Sequence, residues 1–440
     1  MHLINNHFRY EHFMKDYRPR IADKLLREKL EGMGAVLIEG PKWCGKTTTA
    51  EQQAKSILYM DDPSKKDLNI QMASVNPGIL LEGPAPRLID EWQLAPQLWD
   101  AVRFTVDHRN EDGQFILTGS AVPLDDKEQN KIHHTGTGRI ARLKMRPMSL
   151  WESGDSNGTV SLKQLFSQPE QITAANALDL NDIAYLTCRG GWPRAVSQSK
   201  RVSLGRAYDY YDAVVNTDIQ KVDDVGRNAE RVKLLMRSYA RHQGAQVSLN
   251  QICADMKNND HSSLDDRTVY SYLVALKKIF VVEDMPAWNP NLRSKTAIRT
   301  SDTRYFTDPS IAVAALGIGP EDLINDLNTF GLLFECLCIR DLRIYADSIA
   351  GAVYHYRDKE GLECDAVIHL RNGKYGLAEI KLGGSLLIEE GAKTLKTLAS
   401  KIDTGKMKEP SFLMVITATG DYAFRRPDGI CIVPIGCLKD

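Results

Sequence analysis

Between residues 35 and 151 short apolar runs alternate with stretches of helical periodicity. The runs at 35–39, 56–60, 87–90, 114–118 and 141–145 read as strands, and the alternation predicts a doubly wound α/β layer. Ahead of it lies a charged, amphipathic stretch with a helix over 21–30. Beyond Trp151 the pattern changes: a loop at 153–158, then helical periodicity interrupted at Gly190-Gly191-Trp192-Pro193, then helices over 204–227. Residues 231–288 give a short helix at 249–256, a second helix opening at 265–273 and a strand at 279–284, an order that predicts a winged helix. From Phe330 the chain reads as a helix (330–346), strands at 353–356, 363–369 and 376–380, a helix at 389–401, and strands at 412–416 and 430–434. The expected division is an N-terminal helical segment (1–30), an α/β core (31–152), a helical lid (153–228), a winged-helix-like unit (229–300) and an α+β domain (301–440).

Composition narrows the class only modestly. The chain has 440 residues with 43% hydrophobic content, ordinary for a globular protein of several domains. Its net charge of -1 means that any nucleic-acid surface is a local patch. The eight cysteines form no paired C-x-x-C arrangement, which argues against a zinc module and fits a reducing compartment. No signal-like N-terminus and no apolar run of about 20 residues is present, so the expectation is a cytoplasmic protein that does not cross a membrane.

The chemistry is concentrated first at Gly40-Pro41-Lys42-Trp43-Cys44-Gly45-Lys46-Thr47, followed by Thr48. A strand, this glycine loop and then a helix aim backbone N–H groups and a positive helix end at phosphates. Lys46 would reach the β- and γ-phosphates of ATP, and the Thr47 hydroxyl would bind Mg²⁺. The apolar strand ending in Asp90-Glu91 supplies the partner: Asp90 for the Mg²⁺, Glu91 to polarise the attacking water. A third strand ends at Thr118-Gly119-Ser120, where either hydroxyl is placed to sense the γ-phosphate; the sequence does not choose between them.

This order of strands and motifs resembles the AAA+ class of ATPases. The resemblance implies assembly with a neighbouring subunit and an arginine finger, for which Arg139 is the first candidate and Arg142 the second. With Pro147, Ser149, Leu150 and Glu152, and with Gly190, Gly191 and Pro193, the set resembles the bacterial and archaeal AAA-family ATPases that carry a C-terminal DUF4143 domain. Two departures are visible. Lys42-Trp43-Cys44 replaces the usual middle of the loop, and Arg194 stands where an acidic residue is common.

Two further segments bear on what the ATPase would drive. In the winged-helix-like unit Arg267, Lys277 and Lys278 are placed to meet phosphates, with Thr268 and Tyr270 on the helix that would enter a groove. A protein–protein module accounts for the same residues. Near the C-terminus, alternation places Glu363 and Asp365 on one strand face and Glu379 and Lys381 on the next, with Glu335 on the preceding helix. Carboxylates gathered this way suit Mg²⁺ or Mn²⁺. The spacing resembles the PD-(D/E)xK nuclease core, which implies Asp365 and Glu379 as metal ligands, Glu335 as an accessory ligand and Lys381 as an aid to the attacking water. The leading expectation is therefore a Mg²⁺-dependent ATPase coupled to nucleic acid, DNA being favoured. The alternative is an ATP-dependent switch that binds a protein partner through an inactive C-terminal domain.

Overall fold

Ala35, Val36, Leu37 and Ile38 have almost no solvent exposure. A run apolar on both faces needs neighbours on both edges and layers above and below, and the chain supplies them. The computed structural model describes residues 17–120, 137–222, 225–257, 265–289, 301–405 and 407–440. It divides into two compact units. The first comprises residues 1–39, 45–119 and 126–145; the second comprises 40–44, 120–125 and 146–440.

The first unit is a five-stranded sheet in the order β2-β3-β4-β1-β5. Its strands are β1 (Ala35–Glu39), β2 (Ser56–Tyr59), β3 (Arg87–Asp90), β4 (Phe115–Gly119) and β5 (Ile140–Lys144), all parallel. The helices α1 (Ile21–Leu30), α2 (Lys46–Glu51), α3 (Lys66–Val75) and α4 (Gln97–Arg109) are its longer helices, with a single turn at Pro77–Leu80. The five strand expectations hold to within a residue or two. Trp92 and Trp99, with ring centroids 5.0 Å apart, pack with Val102, Phe115 and Leu117 in the core. Insertion of β4 between β1 and β3 brings the C-terminal ends of these three strands side by side.

In the second unit β6 (Val160–Ser161) and β7 (Thr173–Ala175) precede a helical series: α5 (Leu180–Arg189), α6 (Lys200–Ala213), a π-helical turn (Val214–Asp218), α7 (Ala229–Arg241), α8 (Leu249–Lys257), α9 (Asp266–Lys278), α10 (Pro309–Leu316) and α11 (Leu327–Ser348). Then follow β8 (Gly351–Arg357), β9 (Glu363–Leu370), β10 (Tyr375–Lys381), α12 (Ser385–Lys401), β11 (Leu413–Thr417), β12 (Tyr422–Arg425), β13 (Cys431–Pro434) and β14 (Leu438–Lys439). The sheet order is β7-β12-β13-β11-β10-β9-β8. Strands β8, β9 and β10 are antiparallel, while β10, β11 and β13 are parallel.

Two expectations need correction. Residues 153–176 are not wholly helical, because β7 pairs with β12 and β6 with β14. Partners about 250 residues away in sequence leave no local signature. The strand expected at 279–284 is also absent. Phe280 takes a left-handed φ of 59°, which ends α9 in a turn, and among the described residues beyond it the isolated bridges Val282–Phe306, Met285–Thr303 and Ala287–His355 form in place of a strand. Residues 258–264 and 290–300 of the expected winged helix lie outside the described residues.

The second unit is pinned by a buried charge cluster. Arg340 donates to Asp308 (2.8 Å) and to Asp341 (2.9 Å), and both carboxylates are fully buried. Asp308 also accepts the Gly191 N–H (2.9 Å) and Asp341 the Leu150 N–H (2.9 Å). Removing one member of such a group strands a buried charge, at a cost of about 3–5 kcal/mol. We expect Arg340→Met to lose roughly that much in urea denaturation, again about 3–5 kcal/mol. A loss under about 1 kcal/mol, the value of an exposed pair, would show that the cluster is not an anchor.

Candidate functional site

Three strand and helix ends of the first unit converge on one carboxylate oxygen. Thr47, in the first turn of α2, donates its hydroxyl to Asp90 Oδ1 at 2.8 Å. Thr118, at the end of β4, donates to the same oxygen. Of the two hydroxyls the sequence leaves open, it is therefore Thr118 that reaches Asp90; Ser120 is buried beyond the last residue of the strand. Asp90 is 6% exposed. Burial pushes its pKa up, against the pull of the two hydroxyls and Lys46.

Glu91 follows with a left-handed φ of 54°. That conformation is unfavourable for a non-glycine residue and turns the chain off the line of β3. Burial and the adjacent Asp90 charge raise the Glu91 pKa, and the Gln93 amide donates a hydrogen bond to its carboxylate. Gly119 leaves space for these side chains: a Cβ there would sit 2.7 Å from Gln93 Oε1 and 3.1 Å from Trp92 Nε1 and would displace the amide. Asp61, in the turn after β2, is a member the sequence reading missed; its charge raises both Asp90 and Glu91. The available signal was its place at the C-terminal edge of a parallel sheet, where such folds bind ligands.

The loop ahead of α2 has the backbone a phosphate cradle requires. Gly40 (φ 157°) and Gly45 (φ 101°) occupy conformations that side chains resist, and Trp43 sits at φ 65°. Pro41, Lys42 and buried Cys44 fill the remaining positions, and Lys46 is buried at the start of α2, with Thr48 two residues on. Arg139 lies elsewhere, paired with Asp107 at 2.7 Å, and Arg142 pairs with Glu39 at 2.8 Å.

A second cluster lies in the second unit. Lys381 Nζ stands 2.7 Å from Glu379 Oε2 and 3.4 Å from Asp365 Oδ2, and Asp365 also accepts the Ile380 N–H at 2.7 Å. Glu335 on α11 accepts from the Tyr305 hydroxyl, and the charges of Asp365 and Glu379 raise its pKa beyond the effect of burial. A Cβ on Gly244 would come within 2.9 Å of both Glu335 oxygens. Glu363 does not join the cluster: it is exposed and pairs with Arg357 of β8 at 3.1 Å, because the register sets those two residues opposite. Among the described residues no group of three His, Cys, Asp or Glu side chains is arranged to hold a metal ion. The ammonium of Lys381 takes the space between Asp365 and Glu379 instead.

Of the winged-helix candidates, Arg267 and Tyr270 are exposed, Thr268 and Lys278 are half-buried, and Lys277 is committed to Asp284 at 2.6 Å. Among the described residues no helix is long and apolar enough to cross a membrane.

The pKa of Glu379 is raised to about 8 by burial and by Asp365. A carboxyl that holds its proton more tightly when folded stabilises the fold at low pH, and that contribution is lost as pH rises from about 4.5 to about 8. In EDTA, Glu379→Gln is therefore expected to flatten the decline in urea midpoint across that window. A slope as steep as that of wild type would remove Glu379 as its source.

Residues 33–153 match the family model described as an AAA domain. Residues 180–322 and 330–438 match two domains of unknown function, DUF8612 and DUF4143. The chain is similar to the uncharacterized proteins Rv2008c of Mycobacterium tuberculosis and Mb2031c of Mycobacterium bovis. It is 23% identical to each over 418 residues, 94% of this chain and 83% of theirs. Among solved structures, the Walker-type ATPase PABY2304 of Pyrococcus abyssi aligns with a TM-score of 0.43 at 14% identity, covering 68% of this chain and 96% of that one. The two matched segments, 33–153 and 330–438, are thus similar to an AAA domain and to DUF4143 respectively.

Proposed function

We propose that the AAA domain hydrolyses Mg-ATP, and the observation that carries this is the convergence of Thr47 and Thr118 on Asp90 Oδ1. The loop N–H groups and Lys46 bind the polyphosphate, and Lys46 offsets charge that builds on the transferring phosphoryl group. Thr47 and Asp90 offer the two oxygen donors that a largely hydrated Mg²⁺ takes from a protein. Bound there, Mg²⁺ supplies neutralisation of the β- and γ-phosphate charge. Glu91, oriented by Gln93, accepts the proton of the attacking water, and Thr118 fixes the Asp90 carboxylate from the β4 side. Arg139 or Arg142 would act as the finger on a neighbouring subunit's nucleotide, after giving up Asp107 or Glu39.

Two variants test the site. Lys46→Ala is expected to lose nucleotide binding and turnover. Glu91→Gln should keep ATP bound while kcat falls about 10²–10⁴-fold, the usual worth of a general base. Because the Glu91 pKa is raised, the acid limb of the wild-type kcat profile should lie above the ordinary glutamate range. Wild-type turnover by Glu91→Gln would move the base elsewhere.

The same reading couples hydrolysis to nucleic acid through the DUF4143 domain. What supports this is the order α11, antiparallel β8-β9-β10, α12 and then β11 parallel to β10, with Glu335, Asp365, Glu379 and Lys381 drawn together on it. These four residues are the ones that the resemblance in spacing to a PD-(D/E)xK nuclease core implies. Three carboxylates face one ammonium, and Glu379 Oε1 is buried without a hydrogen-bond partner. A divalent cation, Mg²⁺ or Mn²⁺, would be held by Asp365 and Glu379 with Glu335 behind them, taking the place of the Lys381 ammonium and of the proton that burial holds on Glu379. A bound cation supplies water activation and stabilises a leaving oxygen. Lys381 then donates to the phosphate or the water. We expect Mn²⁺-dependent cleavage of DNA that Asp365→Asn abolishes; cleavage surviving in that variant would assign it to a contaminant. The commitment of Lys277 to Asp284 favours the second reading, an ATP-controlled switch on a protein partner. DNA binding that weakens steeply with salt would exclude it.

A further inference from the structure

The third and fourth residues of the phosphate loop are tied to the helical region of the second unit. Lys42 Nζ lies 2.5 Å from Asp218 Oδ1. The Lys42 side chain is 41% exposed, whereas that of Asp218 is 10% exposed. Trp43 contacts Tyr210 edge-on, at 5.6 Å between centroids and 66° between planes. Tyr210 in turn stacks on Trp192 at 4.2 Å. Trp192 is anchored, its indole N–H donating to Ser310 Oγ at 2.9 Å. Asp218 ends the π-helical turn 214–218, where α6 widens before tightening into a 3₁₀ turn at Ile219.

Each of these features is costly in isolation. A bulky aromatic at φ 65° carries strain that persists only where its surroundings impose it. Single π turns inside helices are rare and concentrate at functional positions. A nearly buried carboxylate needs its partner, because removing that partner leaves a charge out of water. Lys42, by contrast, is a mobile point charge on a flexible four-carbon stem. It is also a member of the loop whose backbone receives phosphates, so a triphosphate bound there would present a stronger anion than one carboxylate.

We propose that Lys42 is a conditional phosphate ligand, for which Asp218 and the polyphosphate of ATP compete. When the phosphate takes the ammonium, Asp218 is left unpaired, and the turn 214–221 opens to hydrate it. The strained loop and its aromatic stack make this turn the place where nucleotide occupancy is felt. The proposal rests on the phosphate-loop reading and adds to it a carboxylate 176 residues away in sequence.

The test uses the full-length protein with Mg-ATPγS as probe. Asp218→Asn is expected to tighten the probe's Kd by roughly three- to tenfold and Lys42→Met to weaken it by a similar factor. In the Lys42→Met background, Asp218→Asn should then have no further effect. In wild type, amide hydrogen exchange at 214–221 should quicken on probe binding, and in Lys42→Met it should not change. An Asp218→Asn affinity within twofold of wild type, or wild-type exchange at the turn that is unchanged or slowed, overturns the proposal. A wild-type protein that binds no ATPγS, or a Lys46→Ala variant that binds it undiminished, overturns the phosphate-loop reading itself and is recognised by that.

Discussion

The buried contact of Arg340 with Asp308 and Asp341 is the constraint on which the second unit depends. Charges without solvent are tolerated only when every lone pair and proton is matched. Here the matching recruits distant segments. Asp308 caps α10 through the Ser310 N–H and accepts its hydroxyl, while holding the Gly191 N–H. Asp341 holds the Leu150 N–H. One helix, α11, thereby fixes the start of α10, the Gly190-Gly191 corner and the segment at Leu150. The same helix carries Glu335 to the carboxylate–lysine cluster, so the anchor that orders the unit also places one of its candidate reactive groups.

Several motifs that invite a functional reading turn out to be parts of this anchor. Ser149 and Glu152 form a reciprocal capping box, with Ser149 Oγ accepting the Glu152 N–H and Glu152 Oε2 accepting the Ser149 N–H. A Cβ on Gly191 would lie 2.1 Å from the Met148 carbonyl oxygen, and one on Gly190 would strike Asp308. Gly191 is required by close packing against the Met148 backbone, and Gly190 by the left-handed turn that packs against Asp308 and Ser310. Their spacing in the chain resembles a motif, but the physical demand behind it is steric.

The two acidic clusters differ in how their charge is balanced. At Asp90 two hydroxyls donate to one carboxylate oxygen, so the anion is hydrogen-bonded without a cation paired directly to it by those contacts. At Glu379 a lysine already stands between carboxylates, yet one oxygen is unpartnered and the acid pKa is lifted to about 8. The first cluster is built from elements adjacent in one parallel sheet. The second needs a helix and two antiparallel strands to meet, which explains why it is more heavily desolvated.

The sequence by itself determined the α/β core almost completely. Buried parallel strands are continuous apolar runs, and the glycine loop and Asp90-Glu91 are set by local spacing. It also marked Asp365, Glu379 and Lys381, since alternation fixes which residues share a strand face, and Glu335 through the resemblance in spacing. It placed Glu363 in that group wrongly, because alternation gives a face but not a neighbour, and Arg357 is a neighbour that only strand register reveals. Only the tertiary structure set Thr118 against Asp90, added Asp61, gave β7 to the C-terminal sheet and set Asp218 against Lys42. Each of those depends on which distant backbones lie side by side, and periodicity along one segment carries no information about its partner in space.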